Sequence, residues 1–197
     1  MKILPVNPFF QNDNERWGNV SGGVQCCPTS NAMLVAYLCP NLLVSSSRLG
    51  YSEFESFYKA EFEKAGYASS DRGNHDAHTV CLEERFGIQS TWRMDLQPSE
   101  IRDSIDNNIP VVAGVDYGDS GHVLLIIGYS ENGWIVNDPN GIRLGAKDKY
   151  ATINDGSTYA GAADFYGHEV AATTIFAGGS AWGRLVQNYE TAIKPTQ

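Results

Sequence analysis

The sequence predicts an α+β fold, with its helices in the first half and an antiparallel sheet in the second. Two patterns carry this. Up to about residue 107, apolar residues recur at three- and four-residue intervals behind helix-start signals. From residue 109 the chain changes to short Val- and Ile-rich runs cut by Gly, Asp, Ser and Asn. Strands and helices do not alternate, which argues against a parallel βαβ sheet. At 197 residues the chain can bury a substantial core, and with only 19% charged residues it has no room for a long disordered arm. It is read as one domain over 1–197, with a core at about 4–141 and an elaboration at about 142–197.

Each element has its own signals. Residues 4–25 carry Pro5, Pro8, Asn12-Asp13-Asn14 and Ser21-Gly22-Gly23, which is turn chemistry. A first helix starts at about Pro28, because proline is tolerated in a first turn, and ends before Pro40. A second covers about 52–64: Phe54, Phe57, Tyr58 and Phe62 share one face, and Ser52 with Glu55 can form a capping box. After a polar loop at 69–76, a third helix runs over 78–86 and stops at Gly87; a fourth runs over 98–107 with Ile101 and Ile105 inward. Strands follow at 109–115, 122–129 and 133–137, the last two joined by a hairpin that Asn132-Gly133 signals. From Gly141 to Gly179 the Gly/Ala/Ser-rich chain has too weak a period to assign elements.

A formal charge of −9 and the lack of any Lys/Arg cluster exclude nucleic acid and anionic membrane as expected partners. No apolar run approaches the ~18 residues of a membrane span, and Met1 to Val6 is too short for a signal peptide's apolar region. The four cysteines, Cys26, Cys27, Cys39 and Cys81, lack the spacing of a disulfide framework. Synthesis in a reducing cytoplasm is therefore expected. His75 and His78 are three apart but have no second ligand pair, so no metal is expected, nor any organic cofactor.

The chemistry starts at Cys26-Cys27-Pro28. A thiol at a helix N-terminus faces unpaired N–H groups and the positive end of the dipole, which favour thiolate. Such a cysteine is more often a buried packing residue, and only a base elsewhere changes that. His122 is the candidate base, since it opens the strand Val123 to Gly128 on a rigid element. Asp138 stands sixteen residues later at the end of the adjacent strand, so the hairpin returns it to the same sheet edge, where it can orient the imidazole. His75, His78 and His168 are read as surface or packing residues.

Four segments in order, Phe9-Phe10-Gln11, Cys26 to Leu34, Gly121 to Tyr129 and Asn137 to Gly141, resemble the papain-like cysteine peptidases of the bacteriocin-leader-processing (double-glycine peptidase) superfamily, specifically its stand-alone bacterial and phage branch. The resemblance spans about residues 6–141. It implies a papain-like fold in which Cys26 is the nucleophile, His122 the general base and acid, and Asp138 the orienting group. Cys27 falls where a glycine is usual. Gln11 matches the glutamine that stabilises the oxyanion together with a backbone N–H. The implied reaction is hydrolysis of peptide or amide bonds through a thioester, without cofactors, on a peptide or a peptidoglycan peptide in the manner of an endolysin. The alternatives are an intracellular processing peptidase, a transglutaminase-type amide transferase, or a non-catalytic binding or virion-structural protein on the same fold. The acidity weighs mildly against the anionic cell wall as target.

Overall fold

The first helix, α1 (Cys26–Leu38), is the axis of the molecule, and it is apolar or uncharged throughout because it is buried almost all round. In the computed structural model, residues 1–116, 121–143, 150–151 and 161–189 are described. Asp119 and Ser120, expected as the turn before His122, lie outside them, as does most of 144–160.

Helix α2 (Asn41–Arg48), not expected from the sequence, follows directly with Pro40 at its N-cap. Helix α3 (Phe54–Lys64) has the expected inward face, Phe57, Tyr58 and Phe62 being 2% exposed or less, each contributing about 1.5–3 kcal/mol through burial. The expected Ser52–Glu55 capping box does not form, because the helix starts one turn-position late, with Glu53 as an N-cap that makes no side-chain bond. Helix α4 (His75–Phe86) starts three residues earlier than expected. Asn74 Oδ1 caps it, accepting from the N–H groups of Asp76 at 3.1 Å and Ala77 at 3.3 Å, and Gly87 ends it in the left-handed region at φ +60°. Helix α5 (Pro98–Asp106) begins with proline at its first turn, and Glu100 accepts the Gln97 N–H at 2.9 Å.

The sheet has seven strands, all antiparallel: β1 (Lys2–Ile3), β2 (Ile88–Leu96), β3 (Val111–Asp116), β4 (Gly121–Ser130), β5 (Gly133–Asn137), β8 (Asp164–Gly167) and β9 (Ala181–Tyr189). Its order is β2-β9-β3-β4-β5-β8, with β1 on β4. β6 (Ile142–Arg143) and β7 (Tyr150–Ala151) make a separate two-stranded piece, and a short helix α6 (His168–Thr173) follows β8. Alternation in β4 divides the core: Val123, Leu125 and Ile127 join the cluster around α1, α3 and α4, while Leu124 and Ile126 join that with α5 and α6 residues on the other face. At the tight β4–β5 hairpin a side chain on Gly133 would collide with Tyr166 O.

The α+β class holds. The expected core boundary near residue 141 needs correction, because β9 runs through the middle of the sheet, between β2 and β3, and β8 forms its edge. Among the described residues, no helix is long and apolar enough to cross a membrane.

Candidate active site

Cys26 is the first residue of α1, so its sulfur lies at the helix N-terminus, with Pro28 two residues further in. Two contacts fix that end of the helix. Ser30 Oγ donates to Val123 O at 3.1 Å, pinning the first turn of α1 against β4 beside His122. Gln25, fully buried, donates through Nε2 to Glu15 O at 3.2 Å and accepts from Asn14 Nδ2 at 3.3 Å, which ties the preceding loop to the helix start.

Burial alone would push the Cys26 thiol pKa up. Its hydrogen bond to His122, the His122 charge and the N–H groups of Val123 and Cys27 outweigh this and leave it below the ordinary thiol value. On the imidazole, Nε2 lies 2.7 Å from Asp138 Oδ1, which leaves Nδ1 as the nitrogen for sulfur. Burial disfavours the imidazolium, but the Asp138 carboxylate and Cys26 hold it, raising its pKa to about 10. The arrangement sets a thiol shifted toward thiolate beside an imidazole shifted toward imidazolium, with a carboxylate behind it.

Asp138 is itself held on both oxygens. Oδ1 also accepts the Asn140 N–H at 2.9 Å, and Oδ2 accepts from Tyr166 Oη at 3.0 Å. Tyr166 is 1% exposed on β8, in a segment too weakly patterned for a strand to be expected. Tyr166→Phe keeps the ring and removes this bond. It is expected to lower kcat/KM about 3- to 10-fold and to shift the alkaline limb of the pH–rate profile downward, as Asp138 holds the imidazolium less firmly. An unchanged profile would show that the bond is incidental.

Cys27 has the opposite environment. It is 3% exposed, and burial, with the neighbouring Cys26 charge adding, pushes its thiol far above the ordinary range. Its Sγ accepts from Asn31 Nδ2 at 3.6 Å and lies 3.8 Å from His75 Nδ1. His75 does not act as a base to it: burial and the Arg184 charge lower its pKa to about 4, and its ring stacks on Trp92 at 3.5 Å. His78 is a packing residue, donating through Nε2 to Arg72 O at 2.9 Å with Tyr58 Oη at 2.8 Å from Nδ1, and His168 Nε2 donates to Glu131 O at 2.8 Å on the surface.

Gln11 lines the same cleft as Cys26 and His122, a space of about 760 Å³. It is 2% exposed; its backbone N–H donates to Pro139 O at 2.9 Å and its Nε2 to Gly23 O at 2.7 Å. That amide carries a second N–H besides the one given to Gly23 O, and its Oε1 is buried without a partner. Gly22 lets the loop approach, since a Cβ there would collide with Gln11 O. The structure thus brings together all four residues singled out in the sequence, Gln11, Cys26, His122 and Asp138. Among the described residues, no group of three or more His, Cys, Asp or Glu side chains could hold a metal ion.

A further part of the cleft lining was not foreseen from the sequence. It is built by Trp182 of β9 and by His75, and Arg184 holds it. Arg184 is fully buried, donating from Nη1 to Thr79 Oγ1 at 2.7 Å and Ser90 Oγ at 3.0 Å, and from Nη2 to His75 O at 2.9 Å. Arg184→Ala is expected to destabilise the fold by about 2–4 kcal/mol in denaturant unfolding, since it opens a cavity and strands three acceptors. Lysine is not expected to restore stability, lacking the planar fork. Wild-type stability in either variant would contradict this role.

The Peptidase_C39 like family matches residues 3–167 of the chain. No curated protein matches it significantly. Among solved structures, a protein from Bacillus anthracis provisionally assigned as a C39-like peptidase aligns with 14% identity and a TM-score of 0.47, over 96% of this chain and 100% of its own.

Proposed function

The chain belongs to the Peptidase_C39 like family and so to the cysteine peptidases, and from that premise we propose that it hydrolyses peptide bonds with Cys26, His122, Asp138 and Gln11 as its machinery. The observation that carries the proposal is the contrast between adjacent thiols: Cys26 is bonded to His122 and shifted toward thiolate, while Cys27 is sealed in the protonated form. The Cys26 sulfur attacks the scissile carbonyl carbon. The developing oxyanion takes the free Nε2–H of Gln11 and the backbone N–H of Cys26, which has no acceptor within the helix. The His122 imidazolium gives its proton to the leaving amine as the C–N bond breaks, forming a thioester. Water then attacks, its proton passing to His122, and the acid leaves as the thiolate is restored.

Activity is expected to rise with pH through the lowered Cys26 pKa, as the nucleophile forms, and to fall through about 10, as His122 loses the proton it must donate. A rate profile against a fluorogenic peptide checks both limbs. A single limb centred near the ordinary thiol value would remove the ion pair from the mechanism.

The resemblance to the stand-alone branch extends the proposal to the peptide stems of peptidoglycan as substrate. Purified peptidoglycan incubated with wild type and with Cys26→Ala tests it. New amino termini from wild type alone support a wall endopeptidase, and their absence alongside cleavage of ordinary peptides discards it. A transglutaminase-type transfer would instead consume added primary amine in step with acyl release.

A further inference from the structure

A second cavity, about 590 Å³, lies behind the segment that carries Gln11. Residues 7–10 and Asp13 form one wall of it, while Gln11, within that same stretch, faces the catalytic cleft. The lining has a definite chemistry: three carboxylates, Asp13, Glu53 and Glu55, and four aromatic residues, Phe9, Phe10, Tyr51 and Phe54. Phe9 and Phe54 lie 6.0 Å apart between ring centroids.

The carboxylates are not neutralised from within. Glu55 is 6% exposed, and no other described residue donates a hydrogen bond to its carboxylate. The Glu53 carboxylate takes the Glu15 N–H, while its Oε2 is buried without a partner. Lys59 is close enough to influence both glutamates, yet its ammonium points elsewhere, donating to Glu15 O at 3.2 Å and Gln25 Oε1 at 3.4 Å. Among the described residues no ion pair reaches Asp13, Glu53 or Glu55. A buried carboxylate without a counter-charge is costly, so Glu55 is held as the acid and ionises readily only where a cation arrives from outside.

We propose that this cavity binds an organic cation, the alkylammonium or guanidinium head of a basic peptide side chain. A metal ion does not fit, since no ligating cluster forms among the described residues. The rings suit an organic cation: their faces attract a positive head, and their edges pack an aliphatic stem. The carboxylates then supply the charge-assisted hydrogen bonds that the protein leaves open. The site stands apart from the catalytic residues and can be tested without turnover.

It also carries a pH signature. Burial, then the charges of Glu53 and Asp13, raise the Glu55 pKa to about 8 against the opposing effects of its own N–H and Lys59; Glu53 and Asp13 are raised as well, with Glu15 adding to Glu53. At neutral pH the empty cavity therefore holds a proton on Glu55, which a bound cation displaces. Affinity is expected to rise from pH 6 to pH 9.

Titration calorimetry of the full chain with N-acetyl-lysine amide, N-acetyl-arginine amide and the uncharged N-acetyl-norleucine amide tests the proposal. Saturable binding of the two basic probes, with norleucine at least about tenfold weaker, is the expected result. Glu55→Gln is expected to weaken the basic probes about tenfold without lowering the melting temperature, because the amide matches the shape of the protonated carboxyl but cannot ionise to meet a cation. Should that variant fail to fold, Glu53→Gln carries the same expectation. Equal binding of norleucine, no saturable binding, wild-type affinity in a folded Glu55→Gln, or displacement of the amines by calcium would each overturn it.

Discussion

Replacing Cys26 with alanine is expected to lower peptide hydrolysis by at least about 10⁴-fold, leaving only what binding and the oxyanion donors supply. Cys27→Ala is expected to retain activity within a few-fold. The reason is environmental, since the two sulfurs are neighbours in sequence. Cys26 is partly exposed to the cleft and bonded to His122, whereas Cys27 is enclosed by Asn31 and His75 with its proton fixed by burial. Alkylation by iodoacetamide at neutral pH gives an independent reading. Wild type and Cys27→Ala should react at the same site, and Cys26→Ala should stay unmodified until unfolded. Persistent labelling of Cys26→Ala, or loss of activity in a folded Cys27→Ala, would exchange the roles.

Asp138→Asn should cost about 10³- to 10⁴-fold in kcat while leaving the fold intact, because the amide is isosteric but can no longer stabilise the imidazolium or fix the tautomer that points Nδ1 at sulfur. The sign of its pH effect follows from the same bond. Asp138 is the largest favourable influence on the raised pKa of His122, so its removal brings the alkaline limb down from about 10 toward the ordinary imidazole value. A pH–rate profile measured on the residual activity checks the shift. An unmoved limb would show that Asp138 orients nothing. His122→Ala is expected to abolish the limb altogether.

The site was legible in the sequence where chain geometry alone determines proximity. A proline just after two cysteines marks a helix start, and a hairpin of fixed length returns Asp138 to the strand that opens with His122. Helix-start and helix-stop residues located α1, α3, α4 and α5, and Val- and Ile-rich runs bounded by turn residues located β3 to β5. Gln11 was legible only through the resemblance, since nothing in a turn-rich loop shows which polar side chain is buried. The other wall of the cleft was not legible at all. β2 places Ser90 inward to meet Arg184, and β9 places a charged residue and a glycine in the centre of a sheet. β9 breaks the pattern of a central strand, and its arginine is satisfied by Ser90 of β2 together with Thr79 and His75 of α4. A Cβ on Gly183 would meet Leu96 Cδ1 at 2.8 Å, so the absence of a side chain there is what lets the strands close. Tyr166 was hidden likewise, on a four-residue strand too short to show a period.

The position of β9 also sets an order of events during synthesis. The ribosome delivers β2 and β3 long before their shared neighbour, and for that interval both present open hydrogen-bonding edges. Cys26, His122 and Asp138 have all left the ribosome by then, but the wall carrying Trp182 and the arginine that anchors His75 have not. A nascent chain is therefore expected to remain proteolytically silent until its last strand inserts, sparing the translation machinery from its own product. Chains stopped before residue 181 should accumulate as edge-paired aggregates rather than as partly active enzyme.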